Sequence, residues 1–137
     1  MGRGDKAMRF SSGSMMRAMS MIAGLAACTA AARAQDDPNR AQFLKSCGTC
    51  HAIEAGAAPR QGPNLVGVFG RKAGALDEFK YSDALKSADW VWDEAHLDRW
   101  IENAQAMRPG VVMPYHQADP AKRAKVIEFL KTLKAPS

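Results

Sequence analysis

Cysteine is scarce in this chain, with three among 137 residues, at positions 28, 47 and 50. A zinc centre takes about four ligands, and Cys28 lies far from the other pair, in a stretch that reads as a leader. Strand-like alternation is missing around Cys47 and Cys50, so they lack the βαβ setting of a thioredoxin-type pair. Long apolar runs are also missing. Ala18 to Ala32, apolar and small, covers 15 residues, short of the roughly 20 that cross a bilayer. Charge of one sign is absent from most of the chain. Five of the 19 Lys/Arg and one of the 14 Asp/Glu precede Gln35, leaving 14 against 13 and a net of +1 beyond it. The formal +5 of the whole chain is therefore largely a feature of its start. The three tryptophans do not interleave with a basic stripe, so composition gives no support for nucleic-acid binding. No internal repeat or low-complexity tract follows residue 35.

What is present falls into two parts. Arg3, Lys6, Arg9 and Arg17 form a positive start to residues 1–34, the apolar run follows, and Ala32-Arg33-Ala34 is an A-x-A cleavage site. This pattern predicts a secretory signal peptide, with Met15 or Met16 as alternative starts. Leu25-Ala26-Ala27-Cys28 also resembles a lipobox, in which Cys28 would be acylated; an uncleaved anchor is a third reading. Membrane association is expected only in the last two cases. Residues 35–137 are long enough for one domain.

Cys47-Gly48-Thr49-Cys50-His51 is the feature with chemical content. A C-x-x-C-H run attaches a c-type haem. If the segment is helical, positions i, i+3 and i+4 share one face. Two thiols on that face can add across the vinyl groups of a flat porphyrin as thioethers, and the histidine then points at the iron. One covalent haem c through Cys47 and Cys50, with His51 on the metal, is the expectation.

Helix signals dominate the rest. Asp37 and Pro38 read as cap and first helical position of a helix bearing Ala41, Phe43, Leu44 and Cys47. Residues 55–74, rich in Gly, Pro and Ala, read as loop. Leu97, Trp100, Ile101 and Ala104 keep helical spacing over 93–104. Arg108-Pro109-Gly110 breaks the chain before an extended 111–115. Asp119 and Pro120 open a last helix with Val126, Ile127, Phe129, Leu130 and Leu133 inward, ending before Pro136. The reading is all-α with long functional loops.

One axial position then remains. Candidates are Met107, Met113, His96 and His116. His96 reads as a boundary residue, His116 as exposed and Met107 as core packing. Met113 is favoured, because an extended loop after Pro-Gly can lay a thioether opposite His51.

Cys47 to Leu133 resembles class I cytochrome c, the mitochondrial and bacterial c2-like branch. The resemblance rests on the C-x-x-C-H run, Gly62-Pro63-Asn64-Leu65, the run from Gly67 to Gly74, Tyr81-Ser82-Asp83-Ala84, Trp92, and Pro109-Gly110-Val111-Val112-Met113. It implies a class I cytochrome c fold, three to five helices wrapped around one covalently bound haem, with Met113 as second axial ligand. It implies that the Pro63 carbonyl accepts from His51, that Arg71, Tyr81 and Trp92 hold the propionates, and that Phe43 and Phe129 meet where the first and last helices cross. The chain departs from the family at Asn39 (usually Gly), Leu85 (often Asn), Trp100 (often Tyr), Val111 (Thr) and Val112 (Lys).

With both axial positions filled, the iron has no open site, which points to one-electron transfer rather than an enzyme. The alternative is a peroxidase-like haem enzyme if Met113 is displaced and His116 comes within reach. The expected setting is periplasmic, with a monomer serving a quinol-oxidising complex, a terminal oxidase or a periplasmic dehydrogenase. Lys45, Arg60 and Lys72 are candidates for a local basic rim.

Overall fold

The computed structural model describes Met1 and residues 37–135. The signal-peptide reading of 1–34 and the lipobox reading of Cys28 lie outside the described residues.

Among the described residues, four helices carry the fold: α1 Pro38–Ser46, α2 Asp83–Lys86, α3 Glu94–Met107 and α4 Pro120–Thr132. Three of them begin at an aspartate that satisfies otherwise orphaned N–H groups. Asp37 accepts from the Asn39 amide at 2.9 Å, Asp93 from His96 at 2.8 Å and Asp119 from Ala121 at 2.9 Å. Proline stands in the first turn of α1 and α4, where its missing N–H costs nothing. The single turn of α2 has no side-chain cap and is too short to show a period in the sequence.

Leu97, Trp100, Ile101 and Ala104 form the buried stripe of α3. The helix runs on to Met107, three residues beyond the end of that stripe, because Asn103 restarts it. Asn103 leaves helical geometry at φ −164° and ψ 98°, and its Oδ1 accepts from the Ala106 amide at 3.0 Å. It acts as an internal cap.

α1 and α4 cross where Phe43 meets Phe129, ring centroids 5.0 Å apart. Phe43 is fully buried, which stabilises the fold by roughly 1.5–3 kcal/mol. Asn39, where the family often has glycine, sits half-buried in α1 without preventing that crossing. α3 and α4 are joined by Arg123, buried in the core and donating to Asp98 Oδ1 at 2.7 Å.

Residues 55–74 are loop, as their composition predicts, and the loop extends on both sides to fill the chain between α1 and α2. One antiparallel contact organises it: the Trp92 amide donates to the Arg71 carbonyl at 2.8 Å and Ala73 to Trp90 at 3.0 Å. The extended alternation turns Val91 to solvent and draws Trp92 into the core. No described helix is long and apolar enough to cross a membrane.

Candidate functional site

Cys47 to Cys50 fold as a tight turn directly after α1 rather than as helix. The amides of Cys50 and His51 both donate to the Cys47 carbonyl, at 3.1 and 3.0 Å. That turn still presents both thiols and the imidazole to one cavity.

His51 is fixed from below. Its Nδ1 lies 2.8 Å from the Pro63 carbonyl. A carbonyl only accepts, so Nδ1 carries the proton and Nε2 keeps its lone pair free. Burial lowers the His51 pKa and the Pro63 bond partly opposes it; the neutral, ligating form is favoured. Gly62 runs directly against the ring, where an added Cβ would meet Nδ1 at 2.7 Å. Burial pushes the Cys47 thiol up to about 12, with Cys50 adding to the effect. A free thiol there stays protonated at neutral pH.

Met113 lines the same cavity from the extended segment after Gly110. The Trp100 indole N–H donates to its sulfur at 3.0 Å. Leu85, Trp100 and Val111, three of the departures noted above, are all buried cavity walls. Met113 is therefore flanked by three apolar walls, with one donor aimed at its thioether. Downstream, the Gln117 amide donates to the Ile101 carbonyl at 2.9 Å. Arg123 donates to the Gln117 and Ala118 carbonyls at 2.9 and 3.0 Å. These bonds tie the Met113 segment to α3 and α4.

The cavity between these walls measures about 580 Å³, within the usual range for a cofactor or small-molecule site. Arg71, Tyr81 and Trp92 also line it. Arg71 is turned by its own hydrogen bonds to the Val66 and Asn64 carbonyls, at 2.9 and 3.2 Å. Burial lowers the Arg71 pKa and raises that of Tyr81, while the charge of each works against the shift of the other. Of the other axial candidates, His116 is exposed and Met107 packs against the core. His96 is half-buried, bonded through Nδ1 to Asp93 at 2.8 Å and stacked on Trp90. None of the three lines the cavity.

A family model for cytochrome c matches residues 39–134. The chain belongs to the cytochrome c family. Its relatives place it in the class I, c2-like branch. Cytochrome c2 of Rhodomicrobium vannielii is 40% identical over 116 residues, covering 83% of this chain and 93% of that protein. Cytochrome c-550 of Novispirillum itersonii is 38% identical over 110 residues, covering 72% and 99%. The solved structure of cytochrome cH from Methylobacterium extorquens superposes with a TM-score of 0.61 at 36% identity, covering 69% of this chain and 94% of that one.

The residues of this cytochrome fit a c-type haem. Two thiols, a neutral imidazole and a soft thioether line one apolar cavity, and Gly62 leaves room for the imidazole and nothing more. Cys47 and Cys50 would bond it, His51 and Met113 would take the iron, and Arg71, Tyr81 and Trp92 offer donors for buried carboxylates. Two residues that act on the site escaped the sequence reading. Arg123 is one basic residue in a helix rich in them; its spacing to Val126, Ile127 and Leu130 is the signal that places it on the buried face. Arg60, a candidate rim charge, is exposed and its guanidinium also donates to the Gly48 carbonyl inside the C-x-x-C-H turn at 2.6 Å, a contact its place in the sequence does not signal.

Proposed function

We propose that this cytochrome is an exported monohaem carrier of single electrons, with haem c bonded to Cys47 and Cys50 and its iron held by His51 and Met113. The observation that carries the reading is that His51 and Met113 line one apolar cavity, a pairing that leaves no coordination position for a substrate. Haem supplies one-electron chemistry at its iron; the protein supplies ligands that stay in place in both oxidation states. Met113, a thioether, favours the reduced form, and apolar walls at Leu85, Trp100 and Val111 solvate the extra charge of the oxidised form poorly. Pro63 holds the His51 ring through Nδ1 and raises its basicity.

Residues 1–34 act in this reading as the export signal and the folded part works in the periplasm as a monomer. Its partners are redox proteins of the class of quinol-oxidising complexes, terminal oxidases or periplasmic dehydrogenases. The peroxidase-like alternative needs Met113 off the iron and an acid–base group such as His116 nearby, yet His116 is exposed and outside the cavity lining.

The test is spectroscopic and electrochemical. The oxidised holoprotein is expected to show the red charge-transfer band of methionine-ligated ferric haem and a reversible one-electron wave. An oxidised protein without that band, turning over peroxide rapidly, would overturn the proposal.

A further inference from the structure

We infer that the cavity mouth is the docking surface for a redox partner whose own contact face is apolar and uncharged, not acidic. The inference rests on the electron-carrier reading and concerns how electrons enter and leave. Among the residues that line the cavity, three are exposed: Gln61, Val112 and Pro114. None is charged. Val112 and Pro114 flank Met113 directly, and Val112, 76% exposed, is the most open large apolar side chain of residues 37–135.

The candidate rim cations lie outside the cavity lining. Lys45, Arg60 and Lys72 do not line the cavity. Arg60 is drawn onto the Gly48 carbonyl, and Lys72 is exposed at the antiparallel contact with Val91, outside that lining. Arg71, the one Lys or Arg in the cavity wall, points its guanidinium at two backbone carbonyls.

Charge complementarity then selects the partner. A carboxylate pressed against Val112 would lose its hydration with no free cation among the cavity-lining residues to meet it. An apolar face loses nothing there and gains from covering Val112 and Pro114. The net charge of +1 beyond residue 34 gives little long-range steering to offset this. The contact is small and short-lived, as transient redox encounters are, and its rate is nearly independent of salt.

Voltammetry of the holoprotein on gold coated with either hydroxyl- and methyl-terminated or carboxylate-terminated monolayers separates the two kinds of partner. The expected result is a reversible wave on the apolar, uncharged monolayer that changes less than about twofold between roughly 10 mM and 500 mM salt. Val112→Glu and Pro114→Glu should each lower the electron-transfer rate there by about tenfold. A wave confined to the carboxylate monolayer and lost at high salt would overturn the inference, as would full rates in both variants. A reversible wave in solution with a small mediator, measured alongside, tests the electron-carrier reading separately from the docking surface.

Discussion

The wall that carries His51 and the wall that carries Met113 are held by different kinds of element. His51 is set from within a single loop: Nδ1 bonds to Pro63, and the Gly62 amide donates to Cys50 at 2.9 Å. Met113 depends on elements that must first pack. Trp100 on α3 donates to its sulfur across 13 positions, and Arg123 on α4 holds the carbonyls that follow it. One wall is preorganised by a local turn; the other exists only while α3 and α4 are docked. Stability is not uniform across a structure, and here the difference predicts that the methionine side yields first.

The largest effect is expected on the rigid wall. In Gly62→Ala the new Cβ would meet the ring at 2.7 Å from Nδ1 and 2.8 Å from Nε2. The imidazole must turn, the Pro63 bond is lost, and a local turn has little room to relax. Overpacking and the lost bond together should cost about 3 kcal/mol, read as a lower denaturant midpoint of the ferric protein. An unchanged midpoint would show the His51 wall to be more pliant than its geometry implies.

Arg123→Met attacks the other wall. The Asp98 side chain is 40% exposed and regains water when its partner goes, so the main loss is the pair of carbonyls at Gln117 and Ala118. That should cost about 2 kcal/mol. The diagnostic outcome is an order of events: in the variant the methionine band should disappear at lower denaturant than the far-ultraviolet helix signal. Coincident loss of both signals would remove the claimed difference between the walls.

The same distinction explains what the sequence makes legible. The C-x-x-C-H run, the aspartate caps and the prolines at helix starts act over a few residues, so their chemistry can be read in order along the chain. The reading of a buried stripe over 93–104 matches the core face of α3, since periodicity is also local. The pairing of 70–73 with 90–92 depends on contacts that no short window of sequence contains, while the Asn103 restart and the single turn of α2 are local but too brief to show a period. Arg123 is a mixed case. Its neighbours Lys122 and Lys125 are exposed and it is buried, which its spacing to Val126, Ile127 and Leu130 could have shown; its bond to Asp98 depends on where α4 meets α3. The Trp100–Met113 bond was not readable either, although Trp100 itself stands out as a departure from the family.

That bond provides the next smaller effect. An N–H aimed at the sulfur makes it a poorer electron donor, which disfavours ferric more than ferrous iron. Trp100→Phe removes a donor and leaves the wall apolar. A net hydrogen bond of roughly 1 kcal/mol corresponds to a fall of about 40 mV in midpoint potential. Leu85→Asn should move the potential in the same direction by putting a polar group beside the ferric charge. A rise in Trp100→Phe would mean that the N–H bond to the sulfur does not favour the ferrous state, and a rise in Leu85→Asn would mean that the apolar character of the Met113 wall does not govern the potential.

The smallest effect is expected in the native protein at alkaline pH. A lysine binds a metal only when neutral, so replacement of methionine by lysine grows as pH rises toward the ordinary lysine pKa of about 10.4. No lysine occurs between Lys86 and Lys122, and Val112 and Pro114 beside Met113 have no ligating atom. The red band should therefore persist through mildly alkaline pH, and when it is lost the spectrum should not be that of lysine ligation. Val112→Lys sharpens the point by adding an amine to the exposed, remotely anchored segment. In that variant the band should give way to a lysine-ligated spectrum as pH rises, at a pH below the native transition. If native protein and variant titrate alike, the Met113 segment is held more firmly than its distant anchors imply.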